Sequence, residues 1–111
     1  PEKGQGRSEW KEKRRDKIPE IIRKSGNECI IKELSDDVFL AQLEKKLHEE
    51  IQEYQDSKSV LELADVIEVA LRIASLRGVS REALEDMRNN KVDKRGGFEK
   101  NLFLVSTSDD E

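Results

Sequence analysis

The sequence predicts a mainly α-helical domain: an antiparallel helical hairpin with a third helix, dimerising into a four-helix core, with short terminal strands possible. Three observations predict it. Leu40, Leu43, Leu47, Ile51 and Tyr54 recur at helical spacing and define one apolar stripe. From Val60 to Leu76, twelve of seventeen residues are apolar, with Glu62, Asp65, Glu68, Arg72 and Ser75 confined to one sector. Only Asp56-Ser57-Lys58-Ser59, a polar turn, separates the two segments. A helix apolar on most faces is a buried helix, and 111 residues contain too few others to cover it. A homodimer of paired hairpins supplies the cover.

The elements follow in chain order. Residues 1–13 read as a flexible basic lead, with Gly4, Gly6 and the start of the run Lys11, Lys13, Arg14, Arg15, Lys17. Residues 14–105 read as one domain and 106–111 as a disordered acidic tail. Ile18-Pro19-Glu20-Ile21-Ile22 predicts a short helix with proline in its first turn, closing near Gly26. Cys29-Ile30-Ile31 predicts a short strand, with Leu102-Phe103-Leu104-Val105 as its partner. Ser35 is the expected N-cap of the first long helix, with Asp36 and Asp37 at its positive end. The second long helix is expected over about 59–77, ended by Gly78. Ser80 then caps a third that turns Ala83, Leu84 and Met87 inward and gives way at Asn89.

Composition narrows the function. The chain is 41% charged and 34% hydrophobic, lean for a self-sufficient monomer, and its net charge of −4 disfavours nucleic-acid polymers and anionic membranes. Cys29 is the single cysteine, which fits a reducing cytoplasmic setting. No apolar run has spanning length and no stretch reads as a signal peptide.

The chemistry lies in the acids. Glu49-Glu50-Ile51-Gln52-Glu53 precedes the turn and Glu62-Leu63-Ala64-Asp65 follows it. Residues three or four apart share a helix face, so Glu50 joins Glu53, and Glu62 joins Asp65. Glu53 stands as far before the turn as Glu62 stands after it, and Glu50 and Asp65 match in the same way. Four carboxylates therefore converge on one seam, a site for hard divalent cations such as Mg²⁺. Two such ions suit in-line displacement at phosphorus. The competing reading is a solvated charge run, with Lys45–Glu49 and Lys46–Glu50 as weak exposed pairs worth about 0.3–0.5 kcal/mol. Against it, two carboxylates about 5 Å apart at an effective dielectric near 20 repel by roughly 3 kcal/mol. There is no Walker loop, histidine metal motif or triad signature.

The pattern E-E-x-x-E followed by E-x-x-D resembles the MazG-like nucleotide pyrophosphohydrolases of the all-alpha NTP pyrophosphatase superfamily. Arg15-Asp16-Lys17-Ile18-Pro19-Glu20-Ile21-Ile22 and Arg95-Gly96-Gly97-Phe98-Glu99-Lys100 resemble the terminal motifs of a short branch labelled phosphoribosyl-ATP pyrophosphohydrolase-like. Together they span about residues 14–104. One departure is Lys13-Arg14, where the family often has apolar residues. The resemblance implies Mg²⁺-dependent cleavage of a nucleoside triphosphate between the α and β phosphates, with Mn²⁺ as a substitute, in a homodimer or tetramer. It implies Glu50, Glu53, Glu62 and Asp65 as metal ligands. Catalysis would fall to Glu50 and Glu53, with Glu49 supporting them or orienting the attacking water.

Lys91, Lys94, Arg95 and Lys100 are the candidates for the triphosphate, and Asn90 or Asn89 for a base edge; an exposed basic turn is the competing reading. His48 lies about 200° round the helix from Glu50 and reads as a surface residue. Arg14 and Arg15 read as a solvated arm, or as one reaching a neighbouring subunit's site. Two alternatives stay open: hydrolysis of phosphoribosyl-ATP, and a non-catalytic helical dimerisation or regulatory module.

Overall fold

The computed structural model describes residues 13–108 and is all-α. Trp10 and Lys11, with most of the expected lead and the last three residues of the tail, lie outside the described residues. Among the described residues four helices run in order: α1 (Ile18–Lys24), α2 (Asp36–Ser57), α3 (Val60–Leu76) and α4 (Arg81–Arg95). The α2–α3 hairpin is the packed body, and α4 leans on α3.

Each long helix starts at a serine. The Ser35, Ser59 and Ser80 hydroxyls accept from the backbone N–H groups of Val38, Leu61 and Ala83. Donors that the first helical turn leaves orphaned are met in this way. Only Lys58 and Ser59 separate α2 from α3, so the two helices must run antiparallel. That short reversal puts Lys58 in the left-handed region at φ 60°, where its N–H donates to the Tyr54 carbonyl at 2.7 Å. Gly78, at φ 87°, ends α3 and lets the Val79 N–H reach the Ala74 carbonyl at 2.8 Å.

The structure departs from expectation at several places. Neither Cys29-Ile30-Ile31 nor Leu102–Val105 forms a strand. Ile30 is fully exposed, and two short segments with no third strand or helix behind them do not sustain a pair. α4 does not stop at Asn89. It continues to Arg95, where Lys94 and Arg95 complement the helix dipole and Gly96 closes it. Met87 is exposed rather than inward.

The single chain covers little of α3. In the single chain Val69 is its one buried residue among the described residues, while Leu61 is 77% and Ile67 60% exposed. The buried positions of the hairpin are Leu43, Val69, Lys46 and Glu50. In α2 the seam therefore runs through Leu43, Lys46 and Glu50, and the expected stripe is displaced round the helix, leaving Ile51 exposed. The radius of gyration, 18.9 Å, exceeds the roughly 13 Å of a compact chain near 100 residues.

Candidate metal centre

The acids converge as their spacing requires. Glu50 on α2 and Glu62 and Asp65 on α3 each offer a carboxylate oxygen, all within 4.8 Å of one another. The antiparallel turn makes this happen, since it sets the C-terminal half of α2 against the N-terminal half of α3. A cavity of about 630 Å³ opens over them, also bordered by Glu49, Glu53 and Asp56. The candidate acids Glu49, Glu50, Glu53, Glu62 and Asp65 all line this trough. Asp56 joins them without having been singled out. His48 borders the trough but is exposed.

Burial separates the members. Glu50 is 3% exposed, whereas Glu49, Glu53, Glu62 and Asp65 are half-buried. Glu50 is held by Lys46, whose Nζ lies 2.6 Å from its Oε2. The competing reading of the sequence has a weak, exposed pair here. Instead Lys46 is only 7% exposed, and the pair sits inside the seam. Its other oxygen, Oε1, is buried with no hydrogen-bond partner among the described residues. A buried carboxylate oxygen without a donor is costly.

Glu62 carries the electrostatic consequence. Its carboxyl is pushed above the ordinary value, first by burial, then by hydrogen bonding to the Glu50 carboxylate, then by the charges of Glu53, Glu50 and Asp65. Each of these causes disfavours the charged form of Glu62. A proton and a cation meet the same need at this spot.

The chain's own cations also reach the site, from a segment the sequence left as a solvated arm. Arg15 Nη2 lies 2.8 Å from Asp65 Oδ1. Arg14 donates to Glu49 Oε1 at 3.3 Å and to Gln42 Oε1 at 3.2 Å. The segment before α1 is thus folded over the hairpin of its own chain. Lys46 carries a local signal for this position, since it shares a face with Leu43 and Glu50 at helical spacing. Arg14 and Arg15 had none, because their contacts span 28 to 50 residues.

The donor set fits a hard divalent ion. Oxygens on opposite sides of Mg²⁺ are about 4.2 Å apart and around Ca²⁺ about 4.6–5.2 Å, so the 4.8 Å spread is of the right order. The predicted substrate residues are not brought together with the acids. Asn90, Lys91, Lys94 and Arg95 lie exposed along α4 and Lys100 beyond it, and none lines the trough.

Comparison with known proteins leaves the family open. No family model matches the chain, and no solved structure matches it. A protein of Mycolicibacterium smegmatis (strain ATCC 700084 / mc(2)155), described as uncharacterized, is 54% identical over 39 residues. The match covers 35% of this chain and 40% of that protein. The chain thus spans well under half the length of the curated relative it matches.

Proposed function

We propose that the chain is a Mg²⁺-dependent nucleoside triphosphate pyrophosphohydrolase of MazG-like type, cleaving between the α and β phosphates to release a nucleoside monophosphate and pyrophosphate. One observation carries the reading: Glu50 has a buried oxygen with no hydrogen-bond partner among the described residues, on a carboxylate that clusters with those of Glu62 and Asp65. Such a group is stabilised by a cation it can share with its neighbours. Three protein carboxylates leave room for water and phosphate oxygens, which suits Mg²⁺ better than the more fully caged Ca²⁺.

Glu50, Glu62 and Asp65 would hold the ion, with Glu53, beside Glu62 in the trough, as a fourth ligand or the holder of a second. When bound, Mg²⁺ neutralises charge on the phosphate oxygens and orients them for in-line attack. Lys46 fixes the Glu50 carboxylate through one oxygen and leaves the other directed to the ligand. Glu49 borders the trough and is positioned by Arg14, so it can orient or accept a proton from the attacking water. Lys91, Lys94, Arg95, Lys100 and Asn90 would touch substrate only from a second copy of the chain.

A homodimer belongs to the same proposal. Leu61 and Ile67 stand exposed on a helix that is mostly apolar, and among the described residues Leu43 and Val69 are the buried apolar side chains. The lone Cys29 fits a cytoplasmic setting, and no helix of the described residues is long and apolar enough to cross a membrane. Phosphoribosyl-ATP is an alternative substrate for the same chemistry. A non-catalytic dimerisation module is favoured by one observation: Arg15 and Lys46 already partly neutralise the acids.

The test is a pyrophosphate-release screen over ordinary and modified nucleoside triphosphates and phosphoribosyl-ATP, with Mg²⁺ or chelator. Release should require Mg²⁺ or Mn²⁺ and disappear in Asp65→Asn while the helical circular dichroism remains. No release from any substrate would leave the dimerisation module as the better reading.

A further inference from the structure

A second cavity lies against the acid trough and has the opposite sign. It encloses about 380 Å³, within the range of about 300–1,000 Å³ of small-ligand sites. Five cations line it: Arg14, Arg15, Lys17, Lys46 and Arg72. Two acids, Asp16 and Glu68, share the lining, and Arg14, Arg15 and Lys46 also pair with Glu49, Asp65 and Glu50 of the trough, so Lys17 and Arg72 carry the cleft's distinct positive charge. Its floor is apolar, formed by Phe39, Leu43 and Val69, and an apolar floor strengthens ionic contacts above it.

Arg15 and Lys46 belong to both cavities and form the wall between them. On the trough side they contact Asp65 and Glu50. Lys17 and Arg72 line the cleft alone. A ligand suited to both sides binds a cation at one end and carries several anionic oxygens at the other. Arginine is the side chain best shaped to grip phosphate oxygens in pairs.

We propose that this cleft, with Arg72 and Lys17 as its distal cations, is the phosphate subsite for the polyphosphate of the substrate. The assignment rests on the pyrophosphohydrolase reading, yet it does not need the metal for its first test. It also moves the phosphate contacts from the basic residues of α4 and Lys100 to Lys17 before α1 and Arg72 on α3.

The experiment is a calorimetric titration of inorganic pyrophosphate into the full chain, with chelator and low salt. Arg72→Gln and Lys17→Gln should each weaken binding by about tenfold, while Lys45→Gln, an exposed cation outside both cavities, leaves it unchanged. Circular dichroism checks that each variant is folded. No binding without metal, or equal effects from all three variants, overturns the subsite. Mg²⁺-dependent hydrolysis with an unmoved KM in Arg72→Gln also overturns it and leaves the pyrophosphohydrolase intact. Pyrophosphate binding lost in Arg72→Gln and Lys17→Gln, in a chain that hydrolyses no nucleotide, keeps the subsite and removes the enzyme.

Discussion

The two halves of the α2–α3 seam are built on opposite terms. Away from the turn, Leu43 and Val69 are buried apolar residues that any helical hairpin would place there. Towards the turn, the equivalent positions hold Lys46, Glu50, Glu62 and Asp65, with an ion pair and a partnerless oxygen where methyl groups would pack. The apolar half gains stability from leaving water, and the charged half loses it. A small chain with few buried apolar groups would not be stabilised by such a substitution. The proposed cation site accounts for the charged half, which folding alone does not favour.

That contrast can be broken most forcefully at Lys46. Lys46→Ala should destabilise the chain by about 3–5 kcal/mol, because Glu50 is left as an uncompensated buried charge. Replacing both partners, Lys46→Met with Glu50→Leu, should restore or raise stability while abolishing any response to Mg²⁺. Urea unfolding of the three proteins checks this. A double variant less stable than Lys46→Ala would mean that the pair itself holds the seam together.

In the apolar half, Leu43→Ala should cost about 2–4 kcal/mol by lost transfer energy and a cavity. Its cost should not change with pH between 5 and 8, because the neighbouring acid titration is not its source. Comparable pH dependence for Leu43→Ala and Lys46→Ala would erase the distinction between the halves.

Glu62 sharpens the comparison through pH. Its folded value is raised above the ordinary 4.5, so the native state holds the proton more tightly than the unfolded state. Stability from this group is present at low pH and is lost as pH rises through the raised value. In chelator, Glu62→Gln should therefore melt a few degrees above the parent at pH 7, and the gap should close as pH approaches 4.5. Parallel melting curves of the two proteins across that interval would contradict it.

The smallest effect belongs to the turn that sets the register of the charged half. Lys58 holds a left-handed conformation, offset in part by its ammonium 5.7 Å from the centre of the Tyr54 ring. Lys58→Gly should raise stability by about 0.5 kcal/mol. A loss instead would show that the cation–π contact outweighs the backbone strain.

Much of this was legible from sequence, and the reasons divide cleanly. Helices were readable because serine caps, glycine stops and apolar spacing are local signals, as Ser35, Ser80 and Gly78 illustrate. The acid cluster was readable because a tight turn converts sequence distance into spatial level. The buried state of Lys46 was missed because a lysine is ordinarily solvated, and its spacing to Glu50 suits a surface pair equally well. The reach of Arg14 and Arg15 was missed because nothing local encodes a contact that depends on where a preceding segment folds back. The expected strands failed because β-branched residues favour extension but do not supply a partner.

Melting of the full chain against added Mg²⁺, beside Glu50→Gln and Asp65→Asn, tests the acid trough most directly. An ion held by these carboxylates stabilises the native state by about 2.7 kcal/mol at a hundredfold excess over its dissociation constant. The parent should show a saturable rise in Tm that both variants lack. A parent that melts at the same temperature with and without millimolar Mg²⁺, or variants that rise equally with it, would contradict a cation site at Glu50, Glu62 and Asp65.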